Sequence, residues 1–169
     1  MSFVQSATLN QSLSWIQTDT QNSSRIIDSS AVTHQKLFNS GTGINQVGAV
    51  FYTTGTLNSG ETRQFDLISL NRTIFGASSI TNFSGGKVKI INVENLSTGD
   101  YLNLLVTGSN PFTMNFIGSS SGLTIYPSSY YMAVNISGFN ITASTRYFYL
   151  KNPANSGIIY QVSLLGNTL

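Results

Sequence analysis

The sequence predicts an all-β protein, an antiparallel β-sandwich carrying an N-terminal arm. Three observations lead there. From about residue 48, apolar and polar residues alternate with period two, the side-chain repeat of a pleated strand with one buried face. Clusters of Gly, Pro, Asn and Ser cut the alternation into short runs, as turns do. Ser (25), Thr (18) and Asn (17) make up 60 of the 169 residues. Their side chains compete for backbone hydrogen bonds, so they favour turns and strand faces over helix interiors.

Residues 1–46 stand apart. They are polar, rich in Gln, Ser and Thr, and weakly periodic, with apolar islands at Trp15-Ile16, Ile26-Ile27 and Leu37-Phe38. The segment ends at Asn39-Ser-Gly-Thr-Gly43, a turn or hinge signal. It reads as an arm or docking segment, extended or built of short helices, whose islands settle on its own body or a neighbour. The body, 47–169, holds strand candidates at 49–57, 61–70, 87–95, 101–107, 112–117, 122–126, 130–136, 145–151 and 158–165. Val88, Ile90 and Asn92 are placed on one face of their strand, with Lys87, Lys89, Ile91 and Val93 on the other. Leu102, Leu104 and Val106 alternate, as do Phe112, Met114 and Phe116, and Tyr160, Val162 and Leu164. Residues 71–83 are the exception, a long connection or a short helix. About nine strands at this spacing fit a sandwich or barrel, and eight core strands suit a jelly roll. No internal repeat supports a propeller or solenoid.

Composition excludes several chemistries. Without Cys there is no disulfide scaffold and no thiolate zinc site, and one His cannot build a multi-His metal centre. Charged residues are 8% of the chain against roughly 25% in ordinary soluble domains. A net charge of +2 is too weak a field to favour nucleic acid. The apolar runs fall short of a membrane span. Met1 to Ser6 lacks the basic and apolar regions of a secretion signal, which predicts synthesis in a cytoplasm and argues against glycosylation of the seven Asn-x-Ser/Thr sites.

Candidate reactive groups fare no better. The acids Asp19, Asp28, Glu61, Asp66, Glu94 and Asp100 place no close pair on one strand face, so a glycosidase dyad would need distant strands to converge. His34 lies in the arm segment, away from any Ser-Asp partner. Gly118-Ser-Ser-Ser-Gly122 matches a nucleophile-elbow string, but a strand follows it instead of a helix. Asn95-Leu-Ser-Thr-Gly-Asp100 brings too few carboxylates for calcium and reads as a turn. Lys87, Lys89, Arg146 and Lys151 would make only a small basic cluster if their strands met. The expectation is a chain with no catalytic, cofactor-binding or metal-ligating residues. Tyr130-Tyr131-Met132 and Tyr147-Phe148-Tyr149 face both sides of their strands, which suits a protein contact or a sugar-stacking platform.

Four stretches carry a resemblance: Gly60-Glu-Thr-Arg-Gln-Phe-Asp-Leu67, the run from Phe83 through Lys87-Val-Lys-Ile-Ile-Asn-Val-Glu-Asn-Leu-Ser-Thr-Gly-Asp100, Gly122-Leu-Thr-Ile-Tyr-Pro127, and Gly138-Phe-Asn-Ile-Thr-Ala-Ser-Thr145. Across residues 48–166 this pattern resembles short virion structural proteins of bacteriophages and related viruses. The resemblance implies a jelly-roll-like sandwich that forms a homo-oligomer, meets other virion proteins in the particle, and has no catalytic residues to carry over. The functional expectation is a capsid or capsid-associated subunit, with a receptor-binding or lectin-like module for a host glycan as the alternative. A hydrolase would need two facing carboxylates in one cleft.

Overall fold

The computed structural model describes residues 6–21, 24–74, 77–105, 108–112 and 122–167, and the regular elements among them are all strands. In chain order these are β1 (Ser6–Gln21), β2 (Ser24–Ser40), β3 (Gln46–Val47), β4 (Ala49–Leu57), β5 (Thr62–Asp66), β6 (Leu70–Ile74), β7 (Ala77–Thr81), β8 (Lys87–Asn95), β9 (Leu102–Leu105), β10 (Leu123–Ile125), β11 (Ser129–Asn140), β12 (Tyr147–Lys151) and β13 (Ile158–Asn167). Expectation and structure coincide at 49–57 and 87–95. Of the expected strand 112–117, only Phe112 is described, and it is buried; Met114 and Phe116 lie outside the described residues.

Two four-stranded antiparallel sheets form the sandwich, in the orders β11-β8-β13-β4 and β10-β9-β12-β5. Their pairings nest: β9 with β10, β8 with β11, β5 with β12, β4 with β13. Two further pairings, β8 with β13 and β9 with β12, join these pairs side by side into the sheets.

Alternation decides what fills the space between the sheets. Phe51, Val93, Tyr160, Val162 and Leu164 point inward from one sheet, and Phe65, Leu102, Leu104, Phe148 and Leu150 from the other. Phe65 sits edge-on to Phe51, Phe148 and Tyr160 at centroid separations of 6.2, 5.9 and 6.1 Å, so one ring ties both sheets together. Such pairs add about 0.5–1.5 kcal/mol each beyond their buried area. Gly55 lies opposite Tyr160, and a Cβ there would stand 2.7 Å from the tyrosine hydroxyl.

Two expectations are corrected and one open choice is decided. The described residues of 71–83 hold no helix: β6 and β7 pair antiparallel against the edge of β4, where the Thr81 hydroxyl donates to the Val50 carbonyl at 3.2 Å. Of the two forms open to the arm, the described residues take the extended one: β1 and β2 pair antiparallel from Ser6↔Asn39 to Gln21↔Ser24. The face assignment in β8 also shifts. Ile90 pairs with Leu165 and Val88 with Gly166, which leaves Lys89 as an extra, bulged residue. Val88 therefore joins Ile91 and Val93 in the main core, while Ile90 turns to the outer face. A bulge adds one residue to a strand and so breaks the period-two rule at that point.

Candidate functional site

The arm's root is a heavily built polar site. Lys89, fully buried, leaves β8 at the bulge and points its ammonium into the loop between β2 and β3. It donates to the carbonyls of Gly43, Ile44 (3.2 Å) and Gln46 (2.6 Å). All three ammonium hydrogens find acceptors, so the buried charge is hydrogen-bonded though no carboxylate faces it. Burial, with Lys87 beside it, lowers its pKa from the usual 10.5. Asn167 adds a bond from its amide to the Thr42 carbonyl at 2.5 Å and accepts from the Lys87 amide at 3.0 Å. A Cβ on Gly166 would come within 2.1 Å of the Lys87 carbonyl, so only glycine permits this approach. Above the clamp Phe38 and Val47 pack on Ile90, joined by Ala7, Leu9 and Leu165. A cleft of about 370 Å³ beside the root is lined by Lys87, Gly85, Gly86 and Ser137 among others.

At the opposite end of the sandwich, four loops are stitched by two buried asparagines. The Asn152 amide donates to the carbonyls of Leu57 (3.0 Å), Asn58 (3.0 Å) and Ser156 (2.6 Å), and its oxygen accepts from the Ala154 amide. Asn95 donates to the carbonyls of Asp100 (2.7 Å) and Ile125 (3.1 Å) and accepts from the Ser97 amide. This end also exposes Leu96, Tyr101, Tyr126, Tyr130 and Ile159, with Tyr126 67% and Tyr130 63% accessible.

The candidate reactive residues do not converge. Glu61 binds Arg63 at 2.7 Å and accepts from the Asn58 amide; the Asn58 and Arg63 bonds hold its carboxyl below the usual 4.5. Arg63 also donates to the Tyr160 hydroxyl at 2.9 Å, and its bond to Glu61 raises its own pKa. Arg146 makes a bidentate pair with Asp66 and lies over the Tyr147 ring at 4.8 Å. The Ser156 hydroxyl donates to Asp100. Glu94 sits on β8 between Tyr130 and Gln161. His34 is exposed on β2, opposite Gln11. Gly118 to Ser121 lie outside the described residues.

Among the described residues, no group of three or more His, Asp or Glu side chains is placed to hold a metal ion. The four basic residues do not form one patch, because Arg146 is neutralised by Asp66 and Lys89 is consumed by the loop carbonyls. Of the two tyrosine strands, Tyr149 turns out to be buried, its hydroxyl donating to the Ser109 carbonyl at 2.8 Å, whereas Tyr130 stays open. No helix among the described residues is long and apolar enough to cross a membrane.

Sequence reasoning missed Lys89, Asn95 and Asn152 as organising residues. Their signal was faint: a lysine inside an apolar run, and an asparagine at the start of each of two loops. Compared with known proteins, the chain matches no family model, no curated protein and no solved structure.

Proposed function

We propose that this chain is a virion structural protein, a capsid or capsid-associated subunit that works by self-assembly through the low-charge faces of its sandwich and through its arm. The nested strand order carries the reading. First pairs with last, second with second-last, and so on through eight strands, which fits a jelly roll, the two-Greek-key sandwich used by viral shells and lectins. Supporting it are a surface with few charges to oppose association, sugar- and protein-compatible tyrosines at one end, and a hairpin exposed at Ser12 to Ser14 and Ala31 to Gln35. Symmetric repetition lets a small subunit bury large areas. The particle is its working location, with copies of itself and other coat components as partners. No bond-making or bond-breaking step is assigned to it.

Light scattering on the purified chain across a concentration series tests the proposal. A closed symmetric oligomer, or binding to a preformed shell, is expected; a stable monomer at high concentration with no affinity for particles counts against it. The exposed tyrosines at the loop end favour a second reading, a receptor-binding or lectin-like module. A glycan array separates the two, since saturable sugar binding by a monomer supports the module.

A further inference from the structure

The body guards its sheet edges and the arm does not. Against β4 lies the β6–β7 hairpin. On β11 the pairing jumps from Val134 to Phe139 in an irregularity, and β10 is only 3 residues long. The edge of β5 carries Arg63 and Asp66 within 5 residues. Short, charged, bulged or covered edges are how proteins prevent unwanted pairing.

Among the described residues, no strand covers the outer edge of β1 and no bulge interrupts its pairing with β2. This strand is an outer strand for all 16 residues, and Asp19 is its only charged residue. β2 has three charged residues, Arg25, Asp28 and Lys36, and its far edge meets β3 at Asn39 and Ser40. Where its side chains are described, the ribbon beyond Gln11 lies open: Gln11 reaches Met132 at 3.6 Å, and from Ser12 to Ser14 and Ala31 to Gln35 the side chains are exposed. Leu13 and Val32, opposite each other on one face, are 65% and 44% accessible. A lone two-stranded ribbon is marginal in water and needs further strands or a packed face.

From this we infer that the open edge of β1 is completed by β1 of a second copy of this chain, antiparallel and about a two-fold axis normal to the ribbon. The inference deepens the self-assembly reading and rests on it. Each arm extends about 54 Å at ~3.4 Å per residue. Antiparallel pairing therefore brings the tip of each arm beside the root of the other. The two 16-residue edges alone bury on the order of 1,000 Å², the low end of specific interfaces. A two-fold of this kind keeps each face on its own side, and the axis runs midway between one residue and its own copy directly opposite.

That symmetry makes the test direct, because the chain has no cysteine of its own. Cysteine is placed in turn at each position from Thr8 to Asp19 in the full chain, and disulfide-linked dimers are measured after mild oxidation. At the axis the two Cα atoms lie about 5 Å apart, within disulfide reach; two residues away they lie roughly 14 Å apart, beyond it. A single sharp maximum is expected. Flat, weak cross-linking along β1 while assembly persists overturns the arm pairing and leaves self-assembly standing. A monomer at every concentration removes both. As a second measurement, Ser12→Lys with Ser14→Lys puts like charges near their own copies, and the dimer fraction should fall about tenfold with the circular dichroism unchanged; an unaffected dimer also overturns the pairing.

Discussion

Asn152 shows how much one side chain can organise. Its two amide hydrogens serve three carbonyls from two loops, and it is fully buried. Asn152→Asp keeps the shape and replaces the donor with a charged acceptor facing those carbonyls. Stability should fall by about 2–4 kcal/mol, because a buried acceptor left unpaired costs its full desolvation and a buried lone charge costs more. The midpoint of urea unfolding measures it, and an unmoved midpoint means the loops hold without this residue. At this scale the sequence was a poor guide. Asn152 reads as one more turn residue, since burial and the convergence of Leu57, Asn58 and Ser156 are set by strands far away in the chain.

At the level of elements, the body strands were legible and the arm was not. Tyr160, Val162 and Leu164 alternate in the sequence and are buried in the structure. In β8 the same logic misplaced Val88, because the bulge at Lys89 was invisible to a period-two reading. The bulge has a purpose that follows from its geometry: it sends Lys89 out of the sheet and into the Gly43–Gln46 carbonyls, fixing the arm's root to the sandwich. Lys89→Met should release that loop at a cost of about 1–3 kcal/mol while leaving the sheets intact. Hydrogen exchange is the measurement. Faster exchange at Gly41 and Gln46 with protection kept in β13 is expected, whereas loss of protection throughout would make Lys89 a determinant of the whole fold.

Across the whole molecule, scarcity of charge is the governing property. With 8% charged residues, and with Glu61–Arg63 and Asp66–Arg146 paired on the subunit itself, ten charged side chains remain among 169 residues, a sparse set for contacts between copies. Association through hydroxyl, amide and apolar groups should therefore be nearly independent of ionic strength. Sedimentation at about 0.05 M and 0.5 M salt, where screening lengths differ by roughly threefold, should give the same oligomer within a factor of about two in affinity. A steep fall with salt would place charged groups at the interface and contradict this account.

Taken alone, the sequence determined that the chain is all-β, that alternating residues of its body form one apolar core, and that Cys- and multi-His-based chemistry is absent. These follow from local quantities: side-chain period, turn chemistry and composition. Tertiary structure decided that the pairings nest, that the polar first segment is a β-hairpin anchored by a buried lysine, and that 71–83 is a hairpin covering an edge. Each of those depends on which strand lies beside which. Strand neighbours are chosen by contacts between residues distant in sequence, and no local pattern encodes them.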